Sequence, residues 1–337
     1  MHLIRIAEPR LQFDFDQYLE DPRDGLTLFG PLQRGRPYGI RVGAIGTRSG
    51  LSLLCKWIKR IEGPVSSYGE ELRRPPFPGF QAAFRVPWND PILQLVVSLK
   101  DVEKSVYHAD PHLRVKRTVD LFAEKILDAH REEETGRADF WFVVLPGIVK
   151  KYCRPKSRVE ANLRISVPVS ARDKRSGQMS LLSDEANEAF DAAQYEINFH
   201  HQLKARLLEK LIPTQIVLEE TLQVMDATYD NDPGAAIRQS EIAWNLATAA
   251  FYKSGGRPWK VADVRPGVCY IGLVFKRDDR GSDPRAACCG AQMFLDSGDG
   301  AVFKGNVGPW YTPKFGDFHL NGTSATELIQ KALYAAE

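Results

Sequence analysis

Short apolar runs alternate with longer amphipathic segments between residues 40 and 260, and this alternation restricts the possible folds more than any other feature. The runs IRVGAIG, FQAAFRVPW, ADFWFVVLP and TQIVL have the composition of strands, and the segments between them repeat apolar residues at helical spacing. Strands that alternate with helices favour a mostly parallel sheet that helices cover on both faces. The sequence therefore predicts an α/β domain over residues 40–260.

The chain changes character on both sides of this domain. Residues 1–39 are interrupted by glycine and proline, and their alternating apolar residues predict a hairpin or edge strands. After residue 260, the runs GVCYIGLVFKRD and AACCGAQMFLDSGDGAVFKGN predict long strands with DSGDG as a hairpin turn, followed by the amphipathic helix TSATELIQKALYAAE. We therefore divide the chain into residues 1–39, 40–260 and 261–337.

Composition excludes several classes of protein. The 337 residues are 43% hydrophobic and 26% charged, which is typical of a globular chain long enough for two cores. No apolar run reaches the length of about 18 residues that a membrane span needs, and the N-terminus lacks a signal-peptide pattern, so we expect a cytoplasmic protein with no membrane partner. The five cysteines lack metal-site spacing, which predicts reduced thiols and no metal site.

The formal net charge is only +2, so any nucleic-acid binding must be local. Basic residues cluster in three runs, QRGRPYGIRVGAIGTR, HLRVKR and VKKYCRPKSR. Each run could contact phosphates or form a hydrated surface, and the sequence leaves both interpretations open.

The segment FHHQLKARLLEKLIPTQIVLEET, residues 199–221, predicts a helix followed by a strand. Proline at position 213 ends the helix, and the β-branched run after it favours the strand. One apolar stripe of the helix should face the core: Phe199, Leu203, Leu207 and Leu211.

The same helix presents a polar pair beside the apolar stripe. His200 and Lys204 are four residues apart, so an imidazole and an ammonium group lie one above the other and suit an anion. Gln215 follows on the strand, and Lys253 ends a later helix that Gly255–Gly256 terminates. A lysine on a helix is more often a solvated charge, so this segment alone leaves both interpretations open.

The turn that contains Gly43, Gly46 and Gly50 follows a strand and opens a helix, as a dinucleotide-binding loop does. Its spacing is G-x-x-G-x-x-x-G rather than G-x-G-x-x-G, and no acidic residue ends an obvious second strand. A tight strand-to-helix turn is the favoured interpretation, and a nucleotide-dependent α/β enzyme is the alternative. Cys153 has no evident histidine partner for nucleophilic catalysis.

Several segments together resemble the short prokaryotic Argonautes, which consist of a MID and a PIWI domain. EPRLQF, GLTLFGP and IRVGAIGT are similar to the opening of that family, FHHQLKARLL with IPTQIV to its guide-phosphate helix and strand, and FYKSGGRPWKV with CYIGLVF to the crossing between domains. Residues 60–190 match only in pattern. The resemblance implies a Rossmann-like MID domain over residues 40–260 and the N-terminal half of an RNase H-like PIWI domain over 261–337. It also implies that residues 1–39 form an N-terminal segment that packs on the PIWI domain.

The resemblance also implies a pocket for the 5′-phosphate of a guide strand. Arg206 and Lys260 are weaker candidates for later backbone phosphates, and Mg²⁺ at the 5′-phosphate is a possible cofactor. The implied pocket residues are His200, Lys204, Gln215 and Lys253.

Cutting Argonautes carry a metal-binding Asp two residues after a Gly on the first PIWI strand, where this chain has Gly272, Leu273 and Val274. The resemblance therefore implies no catalytic residues, and we predict that Val274 lies in a buried strand. The PIWI domain is expected to be completed by another chain or by residues absent from this sequence. A self-sufficient guided nuclease is the alternative.

The resemblance implies a place in a prokaryotic defence system. The expected partners are a guide RNA, a target single-stranded DNA and a separate protein in which an APAZ region is fused to an effector. That effector would be a TIR or sirtuin-like NADase, or a nuclease.

Overall fold

The computed structural model describes residues 8–67, 75–132, 137–165, 184–226, 233–277 and 283–335. The chain forms two compact units. We call residues 26–258 the helix-covered unit, and residues 1–25 with 259–337 the strand-rich unit. No described helix is both long enough and apolar enough to span a bilayer.

The elements follow in chain order. The strands are β1 (Leu11–Gln12), β2 (Tyr18–Leu19), β3 (Val42–Gly46), β4 (Leu93–Val96), β5 (Phe140–Leu145), β6 (Thr214–Leu218), β7 (Lys260–Val261), β8 (Tyr270–Arg277), β9 (Ala287–Phe294), β10 (Gly300–Gly308), β11 (Tyr311–Thr312) and β12 (Asp317–Phe318). The helices are α1 (Pro22–Leu28), α2 (Arg48–Glu62), α3 (Phe80–Phe84), α4 (Leu99–Val106), α5 (Pro111–Arg131), α6 (Gly147–Tyr152), α7 (Asp184–Ala192), α8 (Phe199–Leu208), α9 (Glu219–Gln223), α10 (Pro233–Lys253) and α11 (Gly322–Tyr334).

The helix-covered unit contains a parallel sheet with the strand order β4-β3-β5-β6. Every residue of the two central strands is buried, as their apolar composition predicts. On one face Ile45 and Trp141 share a core with Phe122 of α5. Successive side chains alternate between faces, so on the other face Trp57 of α2 packs edge-on against Phe142, with ring centroids 5.7 Å apart. The predicted α/β class is confirmed.

The predicted strand FQAAFRVPW is wrong. Phe80–Phe84 form helix α3, because Phe80, Ala83 and Phe84 bury one face at helical spacing. Arg85, with a left-handed φ of 60°, ends the helix. The strand at this point of the fold is β4, at one edge of the sheet.

The apolar stripe of α8 is shorter than predicted. Phe199, Leu203 and Leu207 are buried, whereas Leu211 is 80% exposed. The helix ends at Leu208, and the chain turns back through Leu211, which has a φ of 54°. Because of this turn, Leu211 does not continue the buried face of the helix, and the strand β6 begins at Thr214.

The strand-rich unit contains small antiparallel sheets. The strand β1 pairs with both β2 and β7, and β9 lies between β8 and β10. Helix α11 packs on one face of the larger sheet, where Leu328 meets Cys289 and Ala291. Val274 lies on the strand β8 and is 56% exposed, so the predicted burial of this position is wrong. The alternation of side chains along β8 and β9 places it on the face opposite Leu328.

Residues 26–39 group with the helix-covered unit rather than with the first 25 residues. The amide of Leu32 donates to the carbonyl of Pro258 at 3.0 Å, and Gln33 and Arg257 form a bridge. These bonds tie the segment to the chain that follows α10. The first boundary between the compact units therefore lies after residue 25, and the predicted domain boundary at residue 39 stays a prediction.

The glycines in β3 and at the start of α2 allow neighbouring side chains to pack closely against the backbone. An added Cβ would lie 2.6 Å from the Trp141 ring at Gly43 and 2.7 Å from the Glu219 carboxylate at Gly50. Thr47 caps α2 by accepting from the Gly50 amide at 2.9 Å, and its hydroxyl donates to Glu219. A carboxylate thus occupies the helix N-terminus where a phosphate would bind, which opposes the nucleotide-enzyme alternative.

We predict that Gly43→Ala lowers the free energy of unfolding by about 1–3 kcal/mol, because the added methyl group overlaps the Trp141 ring. Chemical denaturation followed by circular dichroism measures the change. Gly63→Ala is the matched control, since an added Cβ there meets nothing within 4 Å and φ is −101°. The control should lie within about 0.5 kcal/mol of the wild type. Equal unfolding free energies for Gly43→Ala and wild type would contradict the packing role.

Candidate anion-binding site

Helix α8 fixes the first two candidate residues. Asn198 caps the helix by accepting from the His201 amide at 3.3 Å, and the buried Phe199 and Leu203 set its rotation. His200 and Lys204 consequently lie beside the buried stripe, where His200 is exposed and Lys204 is half-buried.

The C-terminus of α10 fixes Lys253. The amide of Gly256 donates to the carbonyl of Phe251 and that of Gly255 to Tyr252, both at 3.1 Å. Gly255 has a φ of 91°, so these bonds form the left-handed ending that glycine favours. An added Cβ at Gly256 would lie 2.4 Å from the Phe251 ring. Lys253 is therefore the last helical residue, as the sequence predicted.

Two ammonium groups meet at one backbone oxygen. The carbonyl of Thr214 accepts from Nζ of Lys204 at 2.7 Å and from Nζ of Lys253 at 2.9 Å. Nζ of Lys253 also donates to Oε1 of Gln215, whose amide nitrogen donates to the carbonyl of Ile216 at 3.1 Å. The structure thus brings together Lys204, Gln215 and Lys253 at the start of β6. We call this arrangement, with His200 beside it, the two-lysine pocket.

The electrostatics of the two-lysine pocket disfavour its own positive charge. Burial lowers the pKa of Lys204, and burial together with the nearby Lys204 lowers the pKa of Lys253 to about 8. The pKa of His200 is also lowered, first by its partly buried surroundings and then by Lys204, His201 and Lys253. Within the described ranges, no carboxylate pairs with either lysine. An anion would supply the missing negative charge.

The two neighbouring histidines have different surroundings. His201 pairs with the carboxylate of Glu196 at 2.8 Å, whereas His200 is surrounded by cations. Their ring centroids are 5.8 Å apart with a tilt of 45°. The lowered pKa of His200 favours its neutral form, which can donate one hydrogen bond or stack on a flat group.

The donor set does not fit a resident Mg²⁺ ion. Hard divalent cations need several oxygen ligands, with carboxylates foremost. The oxygens at the pocket are the carbonyl of Thr214 and the amide of Gln215, and both already accept from ammonium groups. In the described part of the chain, no group of three or more His, Cys, Asp or Glu residues is placed to hold a metal ion.

The two weaker candidates do not join the two-lysine pocket. Arg206 forms an ion pair with Asp120 of α5, and it lies two residues after Lys204, on another side of α8. Lys260 belongs to the strand-rich unit, where it lies opposite Gln12 in the pairing of β7 with β1. Their predicted contacts with a guide backbone stay predictions.

The sequence did not reveal the carbonyl of Thr214 as the group that joins both lysines. Every residue type carries a backbone carbonyl, so composition and spacing hold no signal for it. The one usable hint was position, because the first residue of an edge strand can turn its carbonyl away from the sheet.

No protein-family model matches the sequence, and no curated protein matches it. Solved structures do match. Clostridium butyricum Argonaute, bound to a guide DNA and a 19-mer target DNA, superposes with a TM-score of 0.55 at 13% identity, over 98% of this chain and 34% of that chain. The fold is that of about a third of an Argonaute.

Two further Argonaute-family structures were found. Drosophila Piwi matches with a TM-score of 0.45 and 11% identity, over 98% of this chain and 32% of its own. Marinitoga piezophila Argonaute in complex with a 5′ OH guide RNA matches with a TM-score of 0.41 and 9% identity, over 98% of this chain and 37% of its own. The chain spans about a third of the length of the Argonautes that it matches.

The lowered pKa of Lys253 predicts a pH dependence of stability. The folded chain binds fewer protons at this residue than the unfolded chain between its pKa of about 8 and the ordinary value of 10.5, so stability rises with pH across this window. Lys253→Met should lose this rise, and its stability should fall relative to wild type as the pH increases from about 8 to 10.5. Thermal or urea melts across that window measure the difference.

Lys100→Met is the matched control, because Lys100 is an exposed residue of α4. The control should follow the wild type at every pH. A constant difference between Lys253→Met and wild type would mean that Lys253 has an ordinary pKa.

Proposed function

We propose that this chain holds the 5′ end of a guide strand in the two-lysine pocket. The observation that carries the proposal is the meeting of two half-buried ammonium groups at the carbonyl of Thr214, without a carboxylate among the described residues, in a chain with an Argonaute fold. A terminal phosphate has more negative charge than an internal one, so it gains most from two adjacent lysines.

The four residues have complementary roles in this proposal. Lys204 and Lys253 donate charged hydrogen bonds to the phosphate oxygens, and Gln215 adds an amide donor from the rigid strand β6. His200 donates to the phosphate or stacks on the first base. Phosphate binding would bring negative charge close to Lys253 and so raise its pKa from about 8 towards the ordinary value.

We predict that Lys204→Ala combined with Lys253→Ala weakens binding of a 5′-phosphorylated guide far more than binding of the 5′-hydroxyl form. Each charge-assisted contact that is lost should cost about 1.5–3 kcal/mol. Fluorescence anisotropy with both forms of one oligonucleotide measures the two affinities.

The matched control is Lys100→Ala with Lys104→Ala, which removes the same charge from two exposed positions of α4. The control should preserve the preference for the phosphorylated guide. Equal losses for both guide forms in the Lys204 and Lys253 double variant would mean that these lysines are general surface charge and that the phosphate binds elsewhere.

We further propose that the guide is RNA and that the chain senses a complementary single-stranded DNA in the cytoplasm of a prokaryote. Base pairing with the guide would supply sequence recognition, as in other RNA-guided systems. Target binding would then activate an APAZ-containing effector with NADase or nuclease activity. These proposals rest on the quoted sequence segments that resemble short Argonautes. Binding measurements with RNA and DNA guides, each with both target types, test the preference.

We also propose that the chain itself does not cut its target. Position 274, where cutting Argonautes carry an Asp on the first PIWI strand, is Val274, and its side chain is 56% exposed on β8. Two-metal cleavage needs several carboxylates that converge on ions about 3.5–4 Å apart. A single aliphatic side chain at this position cannot contribute to such a centre.

Val274→Asp should therefore leave target cleavage absent, because one added carboxylate cannot hold a pair of metal ions. The exposed position should tolerate the change, with a loss of unfolding free energy below about 1 kcal/mol. Gel assays with guide, target and Mn²⁺, alongside a urea melt, measure both effects. Guide-directed cutting above the wild-type background would overturn the inactive-sensor proposal, and cutting by the wild type would favour a self-sufficient guided nuclease.

A further inference from the structure

A second basic feature lies at the amino ends of the parallel strands in the helix-covered unit. A cleft of about 450 Å³ opens there between the residues that precede β3, β5 and β6, and it adjoins a second cavity of about 630 Å³. We call it the amino-edge cleft. Its charged and polar lining comprises Arg36, Arg41, His130, Arg137, Asp139 and Lys210.

Asp139 does not neutralise the amino-edge cleft. One oxygen of its carboxylate accepts from Nη1 of Arg36 at 2.5 Å, and the other accepts from the backbone amide of Arg41 at 2.9 Å. In the described part of the chain, the side chains of Arg41, Arg137 and Lys210 form no ion pair with a carboxylate. Three cationic side chains therefore face a cavity that is large enough for a phosphate group.

His130 lies among the cationic side chains of the amino-edge cleft. Its Nε2 atom lies 3.3 Å from Nη2 of Arg137. Partial burial lowers the pKa of His130, and the charges of Arg137 and Lys210 lower it further. Among the described residues that line the two cavities, the acidic ones are Asp139 inside the cleft and Glu132 in the adjoining cavity. An anion between Arg137 and Lys210 would reverse the effect of the two cations.

The amino-edge cleft adjoins the two-lysine pocket along the same strand. Pro213 lines the cleft, and the next residue, Thr214, accepts from Lys204 and Lys253. Lys210 lies two residues after the end of α8, the helix that carries Lys204. The two sites are therefore near enough for neighbouring groups of one extended polyanion, and arginine offers the planar fork that suits phosphate oxygens.

We propose that the amino-edge cleft binds a backbone phosphate of the strand whose 5′ end lies in the two-lysine pocket. This inference rests on the proposed function for the identity of the strand. The cleft itself recognises a phosphodiester through Arg41, Arg137 and Lys210, without reading the base sequence.

The salt dependence of binding tests the proposal. We expect Arg137→Gln with Lys210→Gln to reduce the slope of log K against log salt for a 5′-hydroxyl single-stranded RNA by about 0.7–1.4, because each phosphate contact contributes about 0.7. Affinity at 0.1 M salt should fall by roughly 5- to 25-fold. Lys100→Gln with Lys104→Gln removes two exposed charges of α4 and should leave the slope within half of one contact. Equal slopes for the cleft variant and this control would overturn the proposal.

Two further measurements separate the cleft from the 5′-phosphate site. With Lys204→Ala and Lys253→Ala already present, the preference for a 5′-phosphate should be lost while the cleft substitutions still reduce the slope. Retention of that preference would count against the proposed function alone. NMR titration of His130, assigned with His130→Gln, should show a higher pKa with the RNA. A rise with inorganic phosphate but not with RNA would overturn the proposal and identify a small-anion site.

Discussion

The candidate site depends on one backbone carbonyl, that of Thr214, which accepts hydrogen bonds from two ammonium groups. Lys204 reaches it from α8 and Lys253 from the end of α10, so two helices place their charges at the first residue of β6. Burial disfavours both charges, and Lys204 further disfavours the charge of Lys253. The folded chain therefore carries an electrostatic penalty at this point, and a bound anion would convert that penalty into binding free energy.

The parallel sheet explains why this carbonyl is available. Successive carbonyls along a strand point to opposite sides, and Pro213 accepts from the amide of Trp141 on the neighbouring strand β5. The next carbonyl, that of Thr214, consequently points away from β5. Among the described strands, β6 is the outermost of its sheet, so none of them takes up this oxygen, and the two lysines do so instead. The register between β5 and β6 therefore leaves a carbonyl free to form this site at the edge of the sheet.

Regular spacing made much of this architecture predictable from sequence. The buried stripe of α8 and the glycine pair after Lys253 indicated the two helices of the site. Prediction failed where composition and periodicity disagree: Phe80–Phe84 contain β-favouring aromatics, yet their helical spacing decides the structure. It also failed at Val274, because an apolar residue on a strand does not reveal which face is covered. The role of Thr214 was inaccessible, since it rests on a backbone atom and on a contact between distant segments.

Open α/β sheets usually bind ligands at the carboxyl ends of their strands, where the order of the strands reverses. In this chain the reversal lies between β3 and β5, and the carboxyl end there is closed by Glu219, which accepts from Thr47, and by the close packing of Gly50. A carboxylate at that helix N-terminus repels the phosphates that the position would otherwise attract. The cations of the two-lysine pocket and of the amino-edge cleft lie at the opposite end of the strands. The distribution of charge along the strands therefore favours an anion at the amino ends of the sheet, which is the reverse of the usual arrangement.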